Sequence, residues 1–194
     1  MRVLFFLSLI PSLFFGNMGP QGFRAHPNRY FVETGSYMGN GIRMALRAGF
    51  EYIHSLEIEP QLVNHCRKRF NKNPRVTIWH RDSSYQLWEV IEPIQEEITF
   101  WLDGHLGTPD PHGGKNTPLI EELEQIKRHS IKTHTILIDD LHCCRTILFD
   151  YLTLEEIVKK VLEINPEYEI SFEPGGDAGE YPNNILVAQV KRRS

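Results

Sequence analysis

Three carboxylates stand out because of where they fall. Asp103 closes the apolar run ITFWLD, and Asp139 and Asp140 close TILIDD. Both runs have the length and the β-branched or aromatic content of buried strands. If those strands lie side by side and parallel, the three acids meet at one edge of the sheet. Like charges crowded in this way are costly unless a cation neutralises them, and carboxylate oxygens suit Mg2+ or Ca2+. The plainer reading is that one or two of these acids cap helices. Histidines lie in the same stretches: His105 two residues beyond Asp103, His112 further along, and His142 soon after Asp140. Such imidazoles could act as general bases, and with Asp103 they could also build a zinc-like site. Any single histidine among the 9 present is more often a surface or capping residue.

A second group of residues could hold a ligand. The segment FVETGSYMGNGIRMALRAG reads as strand, glycine turn and helix, with Gly35, Gly39 and Gly41 allowing a tight turn and a close approach to a bound group. The spacing G-x-x-x-G-x-G is not the dinucleotide pattern G-x-G-x-x-G, which argues against a nicotinamide enzyme. Glu57 ends the next strand, within LEIEP, where a carboxylate can accept both hydroxyls of a ribose. Glycine turn and acid together point to an adenosine-containing ligand. Glu33, before the first glycine, suits a cationic ligand group and would repel a pyrophosphate. The third strand runs into Arg81-Asp82-Ser83-Ser84, where Asp82 could accept the amine of an adenine, cap the next helix, or do both. Trp79, Trp88 and Trp101 are most simply core or helix–sheet packing, although one ring could stack on adenine.

The elements that must position these residues alternate in type. Strands are expected at Tyr30–Thr34, Tyr52–Ile58, Val76–His80, Ile98–Asp103 and Thr135–Asp139. Helices are expected between them at about Gly41–Ala48, Pro60–Asn71, Tyr85–Glu92 and Pro118–Ser130, with a longer one at about Leu154–Glu163 that Pro166 ends. Pro60 and Pro118 suit first-turn positions, the latter behind Thr117 as N-cap. Alternation of this kind implies a parallel sheet with crossover helices. The end differs: Tyr168–Phe172 and Ile185–Val190 leave no room for a crossover helix and must pair as an antiparallel hairpin. Gly104–Asn116 is the one long irregular loop inside the sheet, a usual place for function.

Composition bounds the answer. A chain of 194 residues, 41% hydrophobic, is enough for one core and short for two domains. No internal repeat or linker marks a second. Residues 29–194 are expected to form a single domain, and 1–28 a hydrophobic segment and arm. A net charge of −4, with only small clusters at Arg67-Lys68-Arg69 and Lys191-Arg192-Arg193, gives no support for nucleic acid as a partner. The start, MRVLFFLSLIPSLFFG, has the basic-then-apolar profile of a secretory or membrane-targeting segment, but Phe14 is bulky where a cleavage site after Gly16 needs a small residue. The alternative is a helix and arm covering one edge of the core. Three cysteines, Cys66 and the vicinal Cys143-Cys144, do not make a disulfide framework.

Taken in order, VETGSYMG, LEIEP, RDSS, WLDGH and ILIDD resemble the successive motifs of class I S-adenosylmethionine-dependent methyltransferases. The pattern is closest to the metal-dependent O-methyltransferases of the catechol type and their bacterial sugar and macrolide relatives. The resemblance spans about Tyr30 to Val190 and implies a Rossmann-like, doubly wound, mostly parallel sheet of seven strands closed by an antiparallel hairpin. It also implies methyl transfer from S-adenosylmethionine to a hydroxyl of a small molecule or sugar. Glu33, Gly35, Tyr37, Gly39, Glu57, Asp82, Ser83 and Asp103 would then bind the cofactor, with Tyr37 over its methionine end. Asp103, Asp139 and Asp140 would hold Mg2+, the last where the family also accepts Asn. The catechol-type members place a lysine base where this chain has Leu106. His105 is the first choice for that base, working beside Asp103, and Lys115 the second. Because export would part such an enzyme from its methyl donor, a cytoplasmic or membrane-associated location is expected, with membrane association through the N-terminus. A homodimer could add a wall to the acceptor site. The competing functions are a metal-dependent hydrolase or oxygenase using Asp103, His105 and His142, and a non-catalytic nucleotide-binding module on the same fold.

Overall fold

The computed structural model describes residues 18–110, 113–175 and 181–191. The hydrophobic start, His112 and the basic pair Arg192-Arg193 lie outside these residues. No described helix is long and apolar enough to cross a membrane.

Seven strands form one sheet in the order β3-β2-β1-β4-β5-β7-β6. These are β1 (Tyr30–Thr34), β2 (Tyr52–Glu57), β3 (Val76–His80), β4 (Ile98–Leu102), β5 (Thr135–Ile138), β6 (Tyr168–Gly175) and β7 (Tyr181–Val190). The first five are parallel to one another. β7 runs antiparallel to both β5 and β6. This is the mostly parallel sheet closed by a hairpin that the alternation predicts, and the seven-stranded Rossmann-like architecture that the resemblance implies. The hairpin strands are longer than their apolar runs: Glu173–Gly175 and Tyr181–Asn184 continue the ladder, with a register shift between Glu173 and Gly175. Backbone pairing there does not need the apolar alternation that marks a buried strand.

Each face of the sheet is covered because strand residues alternate. Phe31, Ile53, Trp101, Leu137 and Val187 face α1 (Pro20–Ala25), α2 (Asn40–Ala48) and α3 (Pro60–Phe70). Val32, Leu56, Phe100, Ile136 and Leu186 face α4 (Ser83–Ile91), α5 (Leu119–Arg128) and α6 (Leu154–Ile164). Helix ends follow local chemistry. Asp82 caps α4, and Thr153 with Glu156 forms a reciprocal capping box on α6. At α5 the structure moves the start by one residue. Pro118, not Thr117, is the N-cap, and the Thr117 hydroxyl accepts the Leu119 N–H at 3.4 Å. α1 was not anticipated as a helix. Its Phe23 is fully buried, edge-on to Phe31 and Trp101 at 5.0 and 5.1 Å.

Candidate functional site

Strands β1 and β4 are neighbours whose connections leave in opposite directions, and the crevice this opens lies at their C-terminal ends. Register then decides which residues share it. Thr34 pairs with Leu102, and Leu102 with Ile138, so Gly35, Asp103 and Asp139 take the next positions on three adjacent strands. The ladder runs one step further, with the Asp103 N–H donating to Thr34 O at 3.3 Å and the Asp139 N–H to Leu102 O at 3.1 Å.

On the cofactor side, the turn after β1 is shaped by what surrounds it. Gly35 has φ +81°, and a Cβ there would stand 2.3 Å from the carbonyl oxygen of Asp103. At Gly41 a Cβ would fall 1.8 Å from Glu33 Oε1. Gly35 and Gly41 thus serve the tight turn by making room for protein atoms. Glu33 is buried beneath α2, and its Oε2 accepts the Ser55 hydroxyl at 2.5 Å. Burial pushes its carboxyl up to about 8, against the Ser55 hydrogen bond and with a further push from Glu57. A cationic group beside Glu33 would reverse that shift. Glu57 is also buried. Its two oxygens accept the backbone N–H groups of Tyr37 (2.8 Å) and Glu59 (2.9 Å), which ties the glycine turn to the end of β2. The Tyr37 ring itself is 63% exposed over the turn.

Across the crevice, Asp82 Oδ1 accepts both the N–H and the hydroxyl of Ser84, so its capping role is real. The Ser83 hydroxyl turns away to Glu122 Oε1 at 2.6 Å. Glu122 is a residue the sequence reading missed. It is buried on α5, and burial raises its carboxyl to about 7, opposed by the hydroxyls of Ser83 and Thr34. A signal existed: Leu119, Glu122, Leu123 and Ile126 occupy one apolar helical stripe, and a glutamate within such a stripe needs a reason.

The acidic end is a compact cluster. One ligand-capable atom each of Asp103, His105 and Asp140 lies within 4.8 Å of the other two. His105 Nε2 is 3.5 Å from Asp140 Oδ2, and its Nδ1 is 3.8 Å from Asp103 Oδ1. Asp139 falls outside this group but stands next to it. Its Oδ1 accepts the Asp140 N–H at 2.8 Å, while its Oδ2 is buried without a hydrogen-bond partner. Burial, then the charges of Asp139 and Asp140, hold the Asp103 carboxyl well above the usual range. Asp139 is raised likewise by burial and by Asp140. Asp140 has φ +57°, a left-handed conformation that a non-glycine residue adopts at some cost. Asn184, also missed from sequence, holds it there. Its Nδ2 donates to Asp140 Oδ1 at 3.3 Å, and its Oδ1 accepts from the backbone N–H and Nδ1 of His142, each at 2.9 Å.

Beside Asn184 lies a cavity of about 330 Å³, lined by Leu141, His142, Phe172, Tyr181 and Pro182 among others. The His142 and Tyr181 rings stack at 4.7 Å. The loop after β4 is fastened from the same side. Asp150 accepts N–H groups from the backbone and side chain of Asn116 (2.7–3.1 Å) and from the backbone of Thr117 (3.2 Å). Lys115, the second choice for a base, is exposed and paired with Glu121 instead. The three tryptophans are packing residues: Trp101 is fully buried, Trp79 donates to His54 Nδ1 at 3.1 Å, and the Arg128 guanidinium lies 4.4 Å over Trp88.

No family model matches the chain, and no curated protein matches it in sequence. Solved structures do match. A Staphylococcus aureus protein described as a caffeoyl-CoA O-methyltransferase aligns with a TM-score of 0.57 and 10% identity, over 89% of this chain and 80% of the other. The glycopeptide N-methyltransferase MtfA, solved with S-adenosylmethionine, gives 0.56 and 11% over 91% and 88%. A fibrillarin/Nop5p complex gives 0.54 and 15% over 90% and 79%. Together with the strand order, these likenesses establish that the chain has the class I methyltransferase fold.

Proposed function

We propose that this protein transfers a methyl group from S-adenosylmethionine to a hydroxyl of a small molecule or sugar, with a divalent cation at the acidic cluster. The observation that carries this reading is that β2, β1, β4 and β5 end side by side, which brings the Glu33 and Glu57 carboxylates to the same edge of the sheet as the Asp103, His105 and Asp140 cluster. The donor set fits a cation: oxygen ligands crowd together, burial and neighbouring carboxylates raise Asp103 and Asp139, and Asp139 Oδ2 has no partner among the described residues. When bound, S-adenosylmethionine supplies a sulfonium methyl and the cation, Mg2+ in the resembled family, lowers the pKa of the acceptor hydroxyl.

The chain's own residues do the rest. Glu57 accepts the ribose hydroxyls while its backbone bonds keep it in place, and Glu33 faces the cationic methionine end, which Tyr37 covers. Gly35 and Gly39 shape the turn beneath it. Asp82 and Ser83 border the adenine, with Glu122 orienting Ser83. Asp103 and Asp140, with Asp139 beside them, hold the cation so that the acceptor oxygen lies in line with the methyl, and proximity provides much of the rate. His105 is within reach of the same oxygen. The cavity next to Asn184 takes the body of the acceptor, its stacked aromatic lining suiting the face of a ring. The net charge of −4 favours a small molecule over nucleic acid.

Thermal-shift titration with S-adenosylmethionine and with its demethylated product, with and without divalent cation, tests the reading. Both nucleosides should raise Tm, since a ligand at 100 times its Kd adds about 2.7 kcal/mol. No shift with either would leave a metal-dependent hydrolase as the better account of the Asp-His-Asp group.

A further inference from the structure

We infer that His105 is itself a ligand of the divalent cation, and that the site consequently selects a first-row transition ion such as Mn2+, Co2+ or Zn2+ over Mg2+. The inference rests on the cation-assisted reading above and reassigns His105 within it. The separations of 3.5 and 3.8 Å from the imidazole nitrogens to Asp140 and Asp103 are too long for hydrogen bonds. An ion takes only one nitrogen of a ring, and the 3.5 Å from Nε2 to Asp140 Oδ2 matches two neighbouring ligand atoms on one ion: with bonds of about 2.0–2.2 Å, such atoms stand roughly 3–3.5 Å apart. A general base of the triad type has a carboxylate hydrogen-bonded to its second nitrogen to fix the tautomer. His105 has none at that distance. Its ring is fixed by packing instead, edge-on to Phe149 with centroids 5.4 Å apart.

Two further observations point to an ion. Asp139 is 1% exposed, and its Oδ2 has no partner among the described residues. Asn184 ties down Asp140 through Oδ1 alone, which leaves Oδ2, the atom nearer His105, for the cluster. Mg2+ takes oxygen ligands almost exclusively, whereas imidazole with carboxylates suits later divalent ions. With its nitrogen committed to the ion, His105 cannot accept the acceptor's proton, which passes to water.

The test uses the full chain with Co2+, Mn2+ and Mg2+ as probes. X-ray absorption of the Co2+-loaded protein should show imidazole scattering that disappears in His105→Gln. By competition titration, the Mn2+ to Mg2+ affinity ratio should fall at least about tenfold in His105→Asp, which restores an all-oxygen set. Bound Co2+ without imidazole, imidazole scattering that survives in His105→Gln, sulfur scattering, or an unchanged ratio in His105→Asp would each overturn the inference. If no divalent ion binds the wild type, the cation-assisted reading falls with it. If the imidazole-ligated ion is found but S-adenosylmethionine does not bind, the ligand assignment stands and methyl transfer falls.

Discussion

The carboxylate of Glu57 already accepts two backbone N–H groups, so removing it should have two separable effects. Glu57→Ala is expected to weaken S-adenosylmethionine binding more than tenfold by calorimetry, since a charge-assisted contact contributes roughly 1.5–3 kcal/mol, and to lower Tm as well. Glu57→Gln keeps an acceptor for the turn and should spare Tm more than affinity. If both variants bind like the wild type, Glu57 does not hold the cofactor. Glu33 gives a pH signature. Between about 4.5 and 8 the folded chain keeps a proton that the unfolded chain releases, so stability falls as pH rises through that window. Glu33→Gln removes this slope. Its Tm relative to wild type should be higher at about pH 8.5 than at about pH 5, and an equal difference at both would exclude Glu33 as the titrating group. At this scale the sequence was legible for position, since strand ends place Glu57, Asp103, Asp139 and Asp140 along one edge of the sheet. It was not legible for the aim of the Asp140 side chain, which a left-handed backbone sets, or for Asn184, whose partners come from the segment after β5.

Among elements, the loop after β4 is held less by its own sequence than by Asp150, which follows the short 3-10 turn at Ile147–Phe149 and accepts several N–H groups from Asn116 and Thr117. Asp150→Ala should cost about 1–3 kcal/mol by denaturant unfolding and expose the loop to proteolysis near Asn116, because buried donors would lose their acceptor. Unchanged cleavage would show that the loop keeps its place without this carboxylate. The central strands β4 and β5 could be read from sequence because strands buried on both faces are nearly apolar throughout, and β1 to β3 from their β-branched and aromatic content between helical stretches. The extra length of β6 and β7 could not, since Glu173–Gly175 and Tyr181–Asn184 carry no apolar alternation. Helix α5 lay between these cases. Its apolar stripe, with Glu122 on it, is visible in the sequence, and only the structure revealed that Glu122 holds Ser83.

For the whole molecule, acid sensitivity is built in far from the crevice, near the start of β4 and β5. His134 Nδ1 accepts the Ile98 N–H at 3.1 Å, and its Nε2 stands 3.0 Å from His129 Nδ1. His129 Nε2 in turn reaches the carbonyls of Ile91 and Ile94. Burial, with the nearby His129 and Lys132, pushes His134 down to about 3. Between about 6.5 and 3 the unfolded chain binds the extra proton, so stability should decline as pH falls through that range. His134→Asn, which can still accept from Ile98, should flatten the decline. A Tm profile parallel to wild type would assign the acid loss elsewhere.

Phe23 has a different consequence for the molecule. Because it is fully buried against Phe31 and Trp101, with Met18 also in that core, the chain from residue 18 onward is structural, whatever the apolar start does. Trimming after Gly16 would remove none of the described core residues. A cut beyond Phe23 would open a void of aromatic size beneath the sheet, at a cost of about 3–5 kcal/mol by analogy with Phe→Ala changes. Any trimming of the start that spares the described fold must therefore fall before α1.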